Sequence, residues 1–320
     1  MRNAFGGLLL AAGIALAAPA LAQEFPTKPI RIVVPYAAGG GTDLVARMVA
    51  QKLNEKWGQP VIVENRAGAG GNLGAEAVFT AAPDGYTLLF TAQGPLVVNK
   101  SLYGKLNYDP DAFTPVSLVV VAYSTLLANP NVPAEDLPAL IAYAKANPGK
   151  LNYASQGIAT AAHLTAELFN SMAGVKINHV PYRGSGPALN DLIAGHVDIM
   201  FGELAPSMPY VRAGKLKALA VSSDKRLAAL PEVPTVAQFL PGFVVTSWWA
   251  LVAPPATPPA IAEKISAAVT EALKSPDMTA KLSDMTMVPA GGSPAELAKF
   301  IKEEAERWGA VVRTSGAAIQ

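Results

Sequence analysis

Two glycine-rich turns carry the residue pattern most suited to chemistry. The first, Tyr36-Ala37-Ala38-Gly39-Gly40-Gly41-Thr42-Asp43, follows the β-branched run Ile30 to Val34 and Pro35. Residues without a Cβ can turn successive amides toward one point. A helix starting at Thr42 or Asp43, with either as N-cap, aims the positive end of its dipole at the same point. That combination suits an anion. The second turn, His179-Val180-Pro181-Tyr182-Arg183-Gly184-Ser185-Gly186-Pro187, repeats the design, and Pro187 fits a first helical turn. A third polar turn, Ser155 to Thr160, also lies between a strand and a helix.

Named motifs narrow the chemistry. Gly41 is followed by Thr42 and Asp43, where a P-loop needs Lys and then Ser or Thr. The cluster Gly68 to Gly74 puts Leu73 where a dinucleotide fingerprint needs its third glycine. Ser185 lacks the glycine two residues earlier that a nucleophile elbow requires, although a triad assembled only in space stays open. His163, His179 and His196 lack metal-ligand spacing and read as structural residues. Arg183 is either a second-carboxylate clamp or a solvated rim charge, and Trp248 or Trp249 either roofs a cleft or packs in the core.

The elements that must position these turns begin after an apolar leader. Arg2, the run Leu8 to Ala18, and Ala20-Leu21-Ala22 read as a signal peptide cleaved after Ala22, too short to span a bilayer. Export to the periplasm is the expectation. The chain has 25 Lys plus Arg against 24 Asp plus Glu, and losing Arg2 leaves a balanced mature protein. Such a surface argues against a nucleic-acid partner and against long-range steering of acidic substrates. Cysteine is absent, so disulfides, thiolate metal sites and cysteine nucleophiles are excluded.

Strands Ile30 to Val34, Val61 to Val63 and Thr87 to Thr91 alternate with helices Asp43 to Trp57 and Asn72 to Ala82, which predicts a doubly wound α/β lobe. The helix stripe is Leu44, Val45, Met48, Val49, Leu53 and Trp57. The long apolar runs Val116 to Ala128 and Val244 to Ala253 predict two crossings between lobes. The second lobe is expected to hold helices Ala134 to Ala146, Thr160 to Met172 and Pro187 to Ala194. Its strands are Leu151 to Ala154, Lys176 to Pro181, Val197 to Phe201 and Leu216 to Ser222. Helices Pro258 to Lys274 and Pro294 to Val312 return to the first lobe. The division is 1–22 leader, 23–122 with 245–320 as lobe 1, and 123–244 as lobe 2. Two crossings allow the lobes to close as rigid bodies on a ligand; one large doubly wound domain is the rival architecture.

The motifs V-V-P-Y-A-A-G-G-G-T-D, E-N-R-A-G-A-G-G-N-L-G-A-E, A-A-P-D-G-Y-T-L-L and P-Y-R-G-S-G-P-A-L-N-D-L together resemble the Bug-type periplasmic receptors of tripartite tricarboxylate transporters, over nearly all of the chain beyond the leader. The resemblance implies a two-lobed type II periplasmic-binding-protein fold that closes on a small di- or tricarboxylate or aromatic acid. It also implies delivery to integral membrane transporter subunits. By the same resemblance Tyr36, Ala38, Gly39, Gly40, Thr42, Gly184, Ser185 and Pro187 grip a carboxylate through backbone amides and water. Position in the sequence, not the resemblance, adds Ser155, Gln156 and Thr160 in the third turn and Gln93 and Glu203 at strand ends as residues expected to line the same cleft. No cofactor or metal is expected, and a monomer is. A ligand sensor for a two-component system and a periplasmic hydrolase are the alternatives.

Overall fold

The structure, a computed structural model, describes residues 25–157, 160–182, 184–227 and 229–315; the expected leader and Arg183 lie outside the described residues. Among the described residues no helix is long and apolar enough to cross a membrane.

The chain folds into one continuous path of strands in the order β2-β1-β3-β9-β4-β7-β5-β6. In the first half β1 (Ile30–Val34) lies between β2 (Val61–Asn65) and β3 (Thr87–Ala92), all parallel. In the second half β5 (Asn152–Ser155) lies between β6 (Asn178–Pro181) and β7 (Ile199–Glu203), again all parallel. Each triplet reverses its winding at its middle strand, and such reversals open a crevice at the carboxyl ends of the strands.

The 15-residue strand β4 (Thr114–Ala128) is common to both halves. From Thr114 to Tyr123 it pairs with β9 (Thr246–Ala253), and from Leu118 to Ala122 also with β10 (Met287–Gly291). From Ser124 to Ala128 it pairs with β7, and from Thr125 with β8 (Lys217–Val221). Since β9 is antiparallel to both β3 and β4, the first triplet points along β4; β7 is antiparallel to β4, so the second triplet points back. The carboxyl ends of all six parallel strands therefore face one another. β3 ends level with Trp249, opposite Val120, whereas β7 ends opposite Ser124. Four residue steps of strand separate the two sets, a gap of about 13 Å.

Helix α1 (Gly41–Trp57) covers the first triplet with Val45, Val49 and Leu53, all fully buried, while Leu44 is 45 % exposed, so the buried stripe is rotated from the one the sequence suggests. Four elements escape the sequence pattern. α3 (Asn99–Leu102) is one short turn, and α7 (Leu204–Arg212) carries Pro209 in its interior. α9 (Pro276–Asp284) is brief, and β10 holds Pro289, which suits an edge strand.

The carboxyl-terminal helix α10 (Pro294–Ser315) departs further from expectation. It packs on β4, α3 and α8 (Pro259–Leu273), and also on α5 (Ala161–Ala173) of the second half. One apolar core runs through Phe169, Phe201, Phe243, Trp248 and Trp308, so it joins the two halves. At its centre Glu304, 2 % exposed, accepts hydrogen bonds from the indoles of Trp248 and Trp308, both 2.9 Å, and pairs with Arg307 at 2.9 Å. Glu304→Ala would leave two buried N–H donors without acceptors, each costing about 1–3 kcal/mol. Urea unfolding should therefore show a loss of about 3 kcal/mol, with exposed Lys299→Ala as a silent control; a loss below about 1 kcal/mol would mean that the triad is not structural.

Candidate functional site

The loop after β1 is held from three sides. Pro35 is buried against Gly74 in α2 (Asn72–Phe79), where an added Cβ would lie 2.7 Å from the Pro35 Cβ, 2.8 Å from its Cα and 3.0 Å from the Arg66 carbonyl. Asp43, 2 % exposed, is not the N-cap; Gly40 takes that position. The Asp43 carboxylate instead accepts the Gly39 N–H at 2.9 Å, Arg47 Nε at 3.0 Å and Asn65 Nδ2 at 2.9 Å, and Asn65 also donates to the Tyr36 carbonyl at 3.1 Å. Burial alone would raise the Asp43 carboxyl, but these donors outweigh it and hold the group below its ordinary value. Asp43 and Asn65 thus brace the cradle from behind, and neither lines the cavity.

By topology the counterpart of this loop in the second half is the turn after β5, not the one after β6. The turn after β6 matches the loop after β2. Both second-half turns are tied together: Tyr182 N–H donates to the Ser155 carbonyl at 2.9 Å and Gly184 N–H to the Gln156 carbonyl at 3.1 Å. In the first half Asn99 Nδ2 donates to the Gly70 carbonyl at 3.1 Å and to Asn72 Oδ1 at 2.6 Å, fastening the β2 loop to the segment after β3.

A cavity of about 470 Å³ fills the gap between the strand ends, within the range of small-ligand sites. All six parallel strands contribute: Tyr36 and Thr42 after β1, Gly70 after β2, Gln93 after β3, Gln156 and Thr160 after β5, Ser185 after β6, and Glu203 at the end of β7. Ala122, Tyr123 and Ser124 of β4 line it with Ser247 and Trp249 of β9. Of the residues expected from sequence, Ala38, Gly39 and Gly40 are exposed and outside the lining, as is Pro187. Gly184 is the N-cap of α6 (Ser185–Ala194) and does not line the cavity either. Ser155 is fully buried, its hydroxyl 2.6 Å from His179 Nε2 and accepting the Gly157 N–H at 3.1 Å. Reasoning from sequence missed Gly70, Asn99, Tyr103, Tyr123, Ser247 and the stretch Met285 to Met287, in which Thr286 has φ +54°, an uncommon conformation for a β-branched residue.

Polar groups in the wall are mostly donors of neutral character. Burial pushes the Tyr36 phenol up to about 12, so it stays protonated. Gln93 accepts the Trp248 backbone N–H at 3.1 Å with its carbonyl, which commits that end and leaves its NH2 as the free end. Trp249 donates its indole N–H to Thr42 Oγ1 at 2.6 Å, and Trp248 is fully buried in the core. α1 and α6 start beside Thr42 and Ser185 without side-chain caps, whereas α5 is capped by Thr160. Uncapped helix starts keep N–H groups and positive dipole ends available.

The histidines are not isolated. His163 and His179 stack with centroids 4.0 Å apart, and Tyr153 stacks on His179 at 4.8 Å. Burial, then the neighbouring His163, lowers the His179 imidazole to about 4, which keeps it neutral at ordinary pH. His196 lies apart, 3.3 Å from Asp191. Among the described residues no group of three His, Cys, Asp or Glu side chains is placed to hold a metal ion.

Two opposed parallel triplets joined through a shared strand, with a ligand-sized cavity between their ends, define a two-lobed solute-binding protein. Residues 45–317 match the model of the tripartite tricarboxylate transporter family receptor, and the chain belongs to that family. Three solved structures are similar over most of their length. Rpa4515 of R. palustris with adipate is 36 % identical with a TM-score of 0.79, covering 92 % of this chain and 99 % of that one. The periplasmic binding protein BugD is 33 % identical with a TM-score of 0.76, covering 92 % and 100 %. MatC from Rhodopseudomonas palustris with bound malate is 38 % identical with a TM-score of 0.75, covering 90 % and 100 %.

The bracing of the first loop is testable through two glycines. Gly74→Ala gains about 1 kcal/mol of helix propensity but drives a methyl into the Pro35 and Arg66 backbone, an overpacking cost of about 1–3 kcal/mol or more. Gly40→Ala meets only the Ala37 carbonyl at 3.6 Å, with an ordinary φ of −76°. Chemical denaturation should show Gly74→Ala destabilised by more than Gly40→Ala, which loses only the N-cap preference for glycine over alanine; the reverse order would contradict the packing described.

Proposed function

We propose that this protein is a periplasmic receptor that captures a small carboxylate between two lobes and delivers it to an integral membrane transporter of the tripartite tricarboxylate type. The observation that carries the reading is a cavity walled by uncapped helix starts, those of α1 and α6 among them, with no Lys, Arg or His among its described lining residues. A carboxylate there is neutralised by backbone amides, directly or through water, at little loss compared with direct contact. Thr42, Ser185, Gln156, Thr160 and the Gln93 amide are the side chains that would orient it, with Tyr36 donating its hydroxyl. The bound adipate and malate of two similar structures belong to the same ligand class.

The lobes divide where β4 changes partner, between Tyr123 and Ser124, in keeping with 23–122 and 245–320 as one and 123–244 as the other. One chain supplies the whole cavity, so a monomer suffices. Residues 1–22 act as the export signal, cleaved after Ala22. Binding without catalysis is our reading: in the close Ser–His contact, Ser155 with His179, the serine is fully buried, and neither residue is among the described residues that line the cavity.

Thermal unfolding of the mature protein against mono-, di- and tricarboxylates and aromatic acids tests this. At a hundredfold excess over Kd a true ligand adds about 2.7 kcal/mol, a rise of about 5 °C or more, and is recovered chemically unchanged. Intact mass of the same material should start at Gln23. Failure of every acid, or conversion of the bound acid, would sink the reading.

A further inference from the structure

We propose that Glu203 sets the ligand class of the cavity by accepting a hydrogen bond from a hydroxyl, amide N–H or ammonium donor carried by an acid whose carboxylate sits on the amides of α1 and α6. This rests on the carboxylate reading above and narrows it to acids that present a donor, rather than a second ionised carboxylate, at that wall.

The argument begins with charge. Among the described residues lining the cavity, Glu203 is the single Asp, Glu, Lys, Arg or His. It ends β7 opposite Ser124, on the floor strand shared by the lobes. Its main-chain carbonyl is engaged, accepting the Ser207 hydroxyl at 2.5 Å, but its carboxylate has no hydrogen-bond or ion-pair partner among the described residues, unlike Asp43 and Glu304, whose carboxylates are each gripped by several donors. The side chain meets water through the open cleft, yet the protein mass around it raises its carboxyl above the ordinary value. A ligand that fills the cavity removes that water. The carboxylate then needs a donor, and the described residues of the wall offer no cation to supply one. A second ionised carboxylate placed there meets a like charge with nothing between them, and binds only by sharing a proton with Glu203. An acid with an ω-hydroxyl, ω-amide or ω-ammonium group satisfies both ends.

Calorimetry on the mature full chain with matched five-carbon probes tests this: pentanoate, 5-hydroxypentanoate, 5-aminopentanoate and glutarate, with the four- and six-carbon homologues to fit the gap. On the wild type, the hydroxy or amino acid should bind at least about tenfold tighter than the dicarboxylate of the same length. Glu203→Gln should weaken the amino acid by about tenfold or more, strengthen the dicarboxylate, and leave the unsubstituted acid within about twofold. Lowering the pH on the wild type should weaken the amino acid and strengthen the dicarboxylate, because protonation removes the acceptor charge. The assignment is overturned if Glu203→Gln changes no affinity beyond twofold, or if the wild type prefers the dicarboxylate at every length at neutral pH. The wild-type ranking needs no variant, so a poorly folded Glu203→Gln does not shelter the proposal. If no probe binds the wild type at all, the carboxylate reading falls and takes this one with it; binding that ignores Glu203 overturns only the assignment made here.

Discussion

Everything in the site depends on one strand serving two lobes. Because β4 pairs with β9 and β10 along its first part and with β7 and β8 along its last, it fixes both the distance and the direction of the two halves. The chain then has no freedom over where a ligand sits. Antiparallel pairing on both sides forces the carboxyl ends of two parallel triplets to meet, and the three residues left between Val120 and Ser124 become the floor of the cavity. Helix α10 and the Trp248, Glu304 and Trp308 cluster then lock β9 to the back of the same floor.

Within that frame the loops are rigid for polar reasons. Asp43 and Asn65 hold the first cradle, Asn99 holds the second loop, and two backbone bonds tie the turns after β5 and β6. Preorganised amides need not reorder when an anion arrives, which is how a site with no cation among its described lining residues can still bind. Holding an anion by amides rather than by a fixed positive charge also limits how tightly it is retained, a useful property in a receptor that must surrender its cargo.

Much of this was legible in sequence. The strands Ile30 to Val34 and Thr87 to Thr91, the two crossing runs and the lining residues Tyr36, Thr42, Gln93, Gln156, Thr160, Ser185 and Glu203 followed from periodicity, strand-end position and family resemblance. Other features did not, for identifiable reasons. Ala38 to Gly40 look like ligand groups because glycine marks any loop that must turn, and here the Gly39 amide is spent on Asp43. Ser155 carries a hydroxyl at a strand end, but strand alternation sends it inward to His179. The wall from Met285 to Met287 comes from a short helix and an edge strand holding Pro289, neither of which leaves a periodic signal. The matching of the β1 loop with the β5 turn is a property of strand order, which no local pattern encodes.

The central claim is that backbone amides at two helix starts hold the ligand. Amide chemical shifts of the 15N-labelled mature protein, titrated with 5-hydroxypentanoate, address it most directly. The account predicts the largest saturable shifts at Gly41, Thr42, Ser185 and Gly186, with arginine side-chain signals unmoved. Saturable shifts confined to arginine side chains, or to a surface away from these four amides, would contradict it.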